Sequence, residues 1–286
     1  MANAITVAKE YLDILDQEYK LGSRTSVLDV APDAVKAAAN AGEFNVKKLA
    51  LVGLGDYSKT DGPPIGDISV TWETHAYHYD RGRKLNLDAV DDLEAMGVFY
   101  DAASEFLRLK VTPEIDAIRM AVLAAAAGFK VEAALADAAG WVAALDEAMN
   151  VMDDNEVPED NRILFITGRG RRLVANQVKT AAVTDALDRC TVVTMPQTRF
   201  YTGFTLDPGA TANAGGYANT THKINFMLVD RSACFVDAKH SSIKYFTPQE
   251  NQSADSYLFH YRIYHDAFAY EQRVNGIYVH YKDIAS

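Results

Sequence analysis

DISVTWETHAYHYD, residues 67–80, decides the reading of this chain. Its side chains alternate: Ile68, Val70, Trp72, Thr74 and Ala76 fall on one face of an extended strand, and Ser69, Thr71, Glu73, His75 and Tyr77 on the other. Just upstream, YSKTDGPPIG (57–66) concentrates turn formers, and residues 46–55 read as another strand. Just downstream, Asp80, Arg81 and Gly82 read as a turn into a second short strand. These segments make a long, twisted β-hairpin with too little apolar surface to be stable alone. Its cover has to come from outside its own fold.

Toward the N-terminus, Ile5, Ala8, Leu12, Leu15 and Tyr19 share a face at helical spacing and predict an amphipathic helix over 5–19. Residues 21–46 mix Gly, Ser, Pro and Ala, with a short helical stretch near 34–41, and such an arm needs another surface to lie on. Toward the C-terminus, Asp88 opens a helix whose apolar positions Val90, Leu93, Met96, Tyr100, Ala103 and Leu107 keep a helical period to about Lys110. Thr112 is placed to cap a second start with Pro113 at its first position and Glu114 and Asp116 in its first turn, so Pro113 bends the helix or restarts it. A third helix is expected over 131–151 on Leu135, Ala138, Val142, Leu145 and Met149. Strands at 162–167 and 191–195 alternate with helical turns, as in a small α/β lobe. Residues 197–222, rich in Gly, Thr, Asn and Ala, read as a long exposed loop. From Ile224 the chain is mostly strand, with Asn275-Gly276 as a hairpin turn signal. The class is α+β.

The 286 residues, 49% of them apolar, suffice for a sizeable core. A net charge of −11 repels a polyanion on average, which disfavours tight duplex binding but suits a wall that encloses DNA without gripping it. No apolar run approaches the roughly 20 residues of a membrane-spanning helix. Cys190 and Cys234, with no CxxC and no paired His, read as small core residues in a reducing compartment. VGLGDY (52–57) and TGRGRRL (167–173) imitate a dinucleotide loop, but both lack the third glycine and the distal acid, and they read as a surface turn or strand end. His75 and His78 with Asp80 fail as a metal set, because strand positions three apart face opposite ways. Tyr264, His265 and Asp266 also alternate, and no GxSxG, HExxH or P-loop supplies a nucleophile or electrophile. Asp91, Asp92 and Glu94 stand where helix capping and dipole energetics select acids. No catalytic set, cofactor or metal is expected.

Three segments carry a resemblance: WETHAYHYDRGRKLNLD (72–88), EFLRLKVTPEIDAIRMAVLA (105–124) and YRIYHDAFAYEQRVNGIYVHY (261–281). They resemble major capsid proteins of tailed bacteriophages, and the order of elements is similar over nearly the whole chain. The resemblance implies a Hong Kong 97-type capsid fold. Laid on this sequence, that gives an N-terminal arm at 1–45, an extended β-hairpin loop at 46–87, a spine helix with peripheral lobe at 88–126, an axial lobe at 127–235, and C-terminal strands at 236–286 returning to the peripheral lobe. It further implies self-assembly into hexamers and pentamers of an icosahedral shell around double-stranded DNA, with no membrane. Assembly would take place in the host cytoplasm and the product would be part of the virion, with portal, scaffolding and decoration proteins as partners. A scaffold would be a separate protein or a leader already removed.

Tyr57, Lys59, Trp72, Arg81 and Arg83 are the loop residues expected to touch neighbouring subunits, the arginines through two-pronged bonds to carboxylates. Gly62, Pro63 and Pro64 at the loop tip and Pro113 in the helix are the expected flexible joints. Some relatives are implied to cross-link the loop through a lysine and an asparagine; Lys59 is near the tip, but no asparagine partner is identifiable, so that chemistry is not carried over. Two rival readings remain: an encapsulin-like compartment shell, and an α/β enzyme using the GRGRR turn on a phosphate.

Overall fold

The computed structural model describes residues 22–29, 43–60, 62–94, 98–177, 184, 187–211 and 213–282. The helices expected over 5–19 and 34–41 lie outside the described residues. The chain divides into two compact units, residues 30–78 and the remainder.

In the smaller unit, β1 (Glu43–Leu51) and β2 (Ile68–Ala76) pair antiparallel from Glu43↔Ala76 to Leu51↔Ile68. The turn formers at 57–66 lie in the connection between them. There Ser58 and Gly62 exchange two backbone hydrogen bonds of 3.1 and 2.8 Å, and Gly62 takes a φ of +79° that a side chain would resist.

The larger unit continues with β3 (Tyr79–Asp88), α1 (Ala89–Glu94), α2 (Val98–Phe106), a π turn (Leu107–Val111), α3 (Thr112–Ala126), β4 (Phe129–Glu132), α4 (Ala138–Asp154), β5 (Arg162–Thr167) and α5 (Gly168–Asn176). After these come β6 (Thr191–Met195), β7 (Tyr201–Asp207), β8 (Gly216–Asp230), β9 (Cys234–Phe246), β10 (Ser256–Ala269) and β11 (Ile277–Lys282). One sheet is antiparallel, in the order β3-β10-β9; the other runs β4-β11-β8-β5-β6, with β7 also paired to β8.

Three hydrophobic clusters explain this layering. Phe99, Ala103, Leu107, Val111 and Ile115, at helical spacing along α2, the π turn and α3, pack on Phe259, Tyr261 and Ile263 of β10. Further along the same helix, Met120 and Leu123 pack on Ile163, Phe165, Met227, Val229, Ile277 and Val279 of the larger sheet. The alternate residues of those strands, Leu164, Ile166, Phe226, Leu228 and Tyr278, face away onto Trp141, Leu145, Met149 and Met152 of α4. The larger sheet is thus buried on both faces.

Several expectations need correction. Asp80, Arg81 and Gly82 do not turn. They lie inside β3, where Asp80 meets Arg262 across the sheet at 2.9 and 2.6 Å, and a Cβ on Gly82 would come 2.8 Å from the Tyr261 carbonyl. Residues 79–87, assigned to the extended loop, therefore belong to the larger unit. Of the helix expected from Asp88, the described residues form α1 and α2, residues 95–97 lying outside them, and Asp92, 5% exposed, accepts the N–H of Phe99 at 3.0 Å. Thr112 does not cap a new start: α3 runs on from the π turn in helical backbone, with Pro113 in its first turn. The Thr112 N–H and hydroxyl both reach the Leu107 carbonyl, the hydroxyl at 3.1 Å, and this wider turn makes room for the proline ring.

The third helix begins at Ala138, not 131. Residues 129–132 are taken by the parallel pairing of β4 with β11, and the Asp137 carboxylate accepts the Gly140 N–H at 2.9 Å as an N-cap. The supposed loop at 197–222 holds β7 and the first half of β8. Asn275-Gly276 closes a 3₁₀ turn, not a hairpin, since β10 and β11 lie in different sheets. β11 sits between β4 and β8, so the C-terminal strands do not all return to one sheet.

Candidate assembly surface

The antiparallel register puts Leu49 and Leu51 of β1 opposite Val70 and Ile68 of β2, with Lys47 opposite Trp72, so all six share one face of the ribbon. On that face Leu51 is 67% exposed, Ile68 66% and Trp72 61%, and Leu49 and Val70 are also exposed. Scattered exposed apolar residues are normal, but five in register on adjacent strands form a continuous stripe. Tyr57, Leu54 and Ile65 of the connection are exposed as well. Covering the five stripe residues is worth on the order of 5 kcal/mol per copy, before the entropic cost of association. The opposite face holds Phe44, which is buried and stacks on His75 with ring centroids 5.3 Å apart.

Of the residues expected to touch neighbours, Tyr57, Lys59 and Trp72 belong to this ribbon and are exposed. Arg81 and Arg83 do not belong to it. Arg81 holds Glu114 of α3 with Nε at 2.5 Å and donates to the carbonyls of Asp207 and Gly216 at 3.0 and 3.2 Å; Arg83 donates to the Ala214 carbonyl at 3.0 Å. Both clamp the β7–β8 turn within their own chain. Gly62, Pro63 and Pro64 lie in the connection, where Pro64 is so close to Gly55 that a Cβ there would come within 2.6 Å of it.

Sequence reasoning missed a second structure, the anchor of the arm. Asp116, wholly buried on α3, accepts hydrogen bonds from the Ser23 and Thr25 hydroxyls at 2.8 Å each, from the N–H groups of Arg24 and Thr25 at 3.1 and 3.2 Å, and from Arg199 at 3.0 Å. One turn on, Arg119 donates to the Thr25 hydroxyl at 2.9 Å and pairs with Asp29 at 3.0 Å. Leu28, fully buried, then enters the main core. The available signal was an acid and an arginine three apart within the apolar run IDAIRMAVL, placed where a helix faces a core.

His265 is fully buried, with no hydrogen-bond partner among the described residues at either ring nitrogen, and burial, with the Arg119 and Arg81 charges, pushes its pKa down to about 3. Asp266 accepts the Ala267 N–H at 2.8 Å. Arg262 holds the Asp80 carboxyl below the usual range. Both cysteines are free, and burial pushes Cys234 up to about 12.

No family model and no curated protein matches this chain. Solved structures do. The mature capsid of bacteriophage PhiM1 is similar with a TM-score of 0.63 at 10% identity, covering 86% of this chain and 83% of that one. A structure from Mycobacterium phage Che8 gives 0.58 at 12%, covering 84% and 85%. The virus-like particle from Pyrococcus furiosus gives 0.59 at 11%, covering 96% and 98%. The chain has the Hong Kong 97-type capsid fold.

Proposed function

We propose that this protein is the major capsid protein of a tailed bacteriophage, self-assembling into the icosahedral head that encloses double-stranded DNA. The exposed apolar stripe of Leu49, Leu51, Ile68, Val70 and Trp72 carries this reading, because another copy of the chain is the cover that the capsid fold offers it. Tyr57, Lys59 and Trp72 meet neighbouring subunits, while the turn at 62–64 and the π turn before Pro113 take up the differences between hexamers and pentamers. Because each subunit makes several such contacts at once, modest pairwise affinities sum to a closed shell with a sharp concentration threshold. The acidic balance keeps the wall from gripping its DNA.

The near-complete mutual coverage with the Pyrococcus furiosus particle favours a second reading, an encapsulin-like compartment shell. Electron microscopy of particles from cells producing this protein natively separates the two. Heads bearing tails and filled with DNA are expected; DNA-free shells holding an enzyme support the compartment, and a monodisperse monomer at high concentration contradicts both.

A further inference from the structure

We propose that the cavity at the carboxyl ends of β5 and β6 binds a phosphate group. It measures about 450 Å³ and is lined by Arg24, Trp141, Thr167, Arg169, Thr194 and Lys282 among others, with no carboxylate among the described residues of its wall. Among the described residues, the side chains of Arg24, Arg169 and Lys282 make no ion pair or hydrogen bond. In a chain of net charge −11, three cations without a side-chain partner line one cavity that no acid among the described residues lines.

The topology puts further positive potential at the same place. β5, α5 and β6 form a parallel crossover unit, and the cavity lies at the carboxyl ends of its two strands. The nine-residue α5 opens onto it through Gly168 and Arg169, presenting the positive end of its dipole. Thr167 caps that end by accepting the Gly170 N–H at 3.2 Å. An independent observation comes from Trp141: it lines the cavity at 3% exposure, and its buried indole N–H has no acceptor among the described residues.

The glycines of TGRGRRL have separable roles. A Cβ on Gly170 would come 2.3 Å from the Trp141 ring, so the second glycine serves the packing of α5 on α4, whereas Gly168 lines the cavity. The volume suits a ligand of pyrophosphate or nucleotide size. The phosphate comes from a free small molecule or from a nucleic-acid backbone, and the site is independent of the shell reading.

The test is calorimetric titration of the full chain at low salt with sodium pyrophosphate and, separately, with a short DNA duplex. Pyrophosphate is expected to bind, with affinity reduced at least about tenfold in Arg169→Gln and in Lys282→Gln, each losing one charge-assisted contact. Lys244→Gln, at an exposed cation on β9, leaves affinity unchanged. Duplex binding that shows the same losses, and that pyrophosphate displaces, identifies nucleic acid as the source; binding of pyrophosphate alone identifies a free phosphate. Equal unfolding midpoints of the variants and the parent confirm that the losses are local. Absence of binding by either ligand, or an equal loss in Lys244→Gln, overturns the proposal.

Discussion

The β1–β2 ribbon and the larger sheet follow the same period-two pattern with opposite outcomes. In β5, β8 and β11 each apolar residue finds a partner layer, α3 and its neighbours on one face and α4 on the other. In the ribbon, Leu51, Ile68 and Trp72 are about two-thirds exposed. A strand's sequence therefore says that a face is meant to be covered, but not by what. Inside the larger sheet the cover is local; for the ribbon the proposed cover is another copy of the chain. Apolar residues in the two regions should accordingly govern different observables, subunit stability in one and assembly in the other.

The largest effect is expected in the doubly covered sheet. Phe165→Ala should cost about 3–5 kcal/mol of subunit stability through the lost contacts and the cavity left behind, read by urea unfolding of unassembled protein. Asp116→Ala should cost a similar amount, about 3–5 kcal/mol, because it strands Arg199 and the Ser23 and Thr25 donors and frees the segment 23–29. Limited proteolysis should then show faster cutting near residue 24. Gly170→Ala should cost about 1–3 kcal/mol by forcing α5 away from Trp141. A neutral result at any of these positions would mean that the cover on that side is looser than the structure shows.

Acid sharpens the contrast further. His265 is held neutral in the fold down to about pH 3, and His280, by burial, to about 4, while both titrate near 6.5 when unfolded. Between pH 6.5 and about 4 the unfolded chain binds protons that the folded chain does not. Stability is thus fully present above 6.5 and falls as pH drops, by up to about 1.4 kcal/mol per pH unit for each histidine. Urea midpoints at pH 7 and pH 5 check this, and His265→Gln should lower the slope by one proton's share. A flat profile would mean that these rings are hydrated.

How much of this was legible in the sequence follows from what each pattern encodes. The extended strand over 68–76 and the helical period through Tyr100, Ala103 and Leu107 depend only on local geometry, and both survive in the structure, although the run read to Asp80 breaks at Tyr77 and His78. Neighbour relations do not appear in a period. Nothing local in IYVHYK marks β11 for insertion between β4 and β8. β7 was hidden by composition: Gly203, Thr202 and Thr205 look like loop residues, yet Thr202 bonds to Thr221 across the pair at 2.8 Å and Gly203 admits the Thr221 side chain closely. At the candidate surface, Trp72 was readable as part of an exposed apolar face because the alternation places it there. Arg81 and Arg83 were not, since an arginine on a strand looks the same whether it reaches a neighbour or, as here, the β7–β8 turn of its own chain.

The smallest expected effect on subunit stability is also the most informative. Ile68→Ser combined with Trp72→Ser should leave the urea midpoint of the unassembled chain within about 0.5 kcal/mol of the parent, because both side chains are already largely exposed. The decisive measurement is sedimentation velocity of parent and double variant over a concentration series. The parent should pass abruptly from small species to closed shells above a threshold concentration, while the variant, equally stable, stays small throughout. Shells formed by the variant at the parental threshold would contradict the claim that this stripe is covered by other copies of the chain.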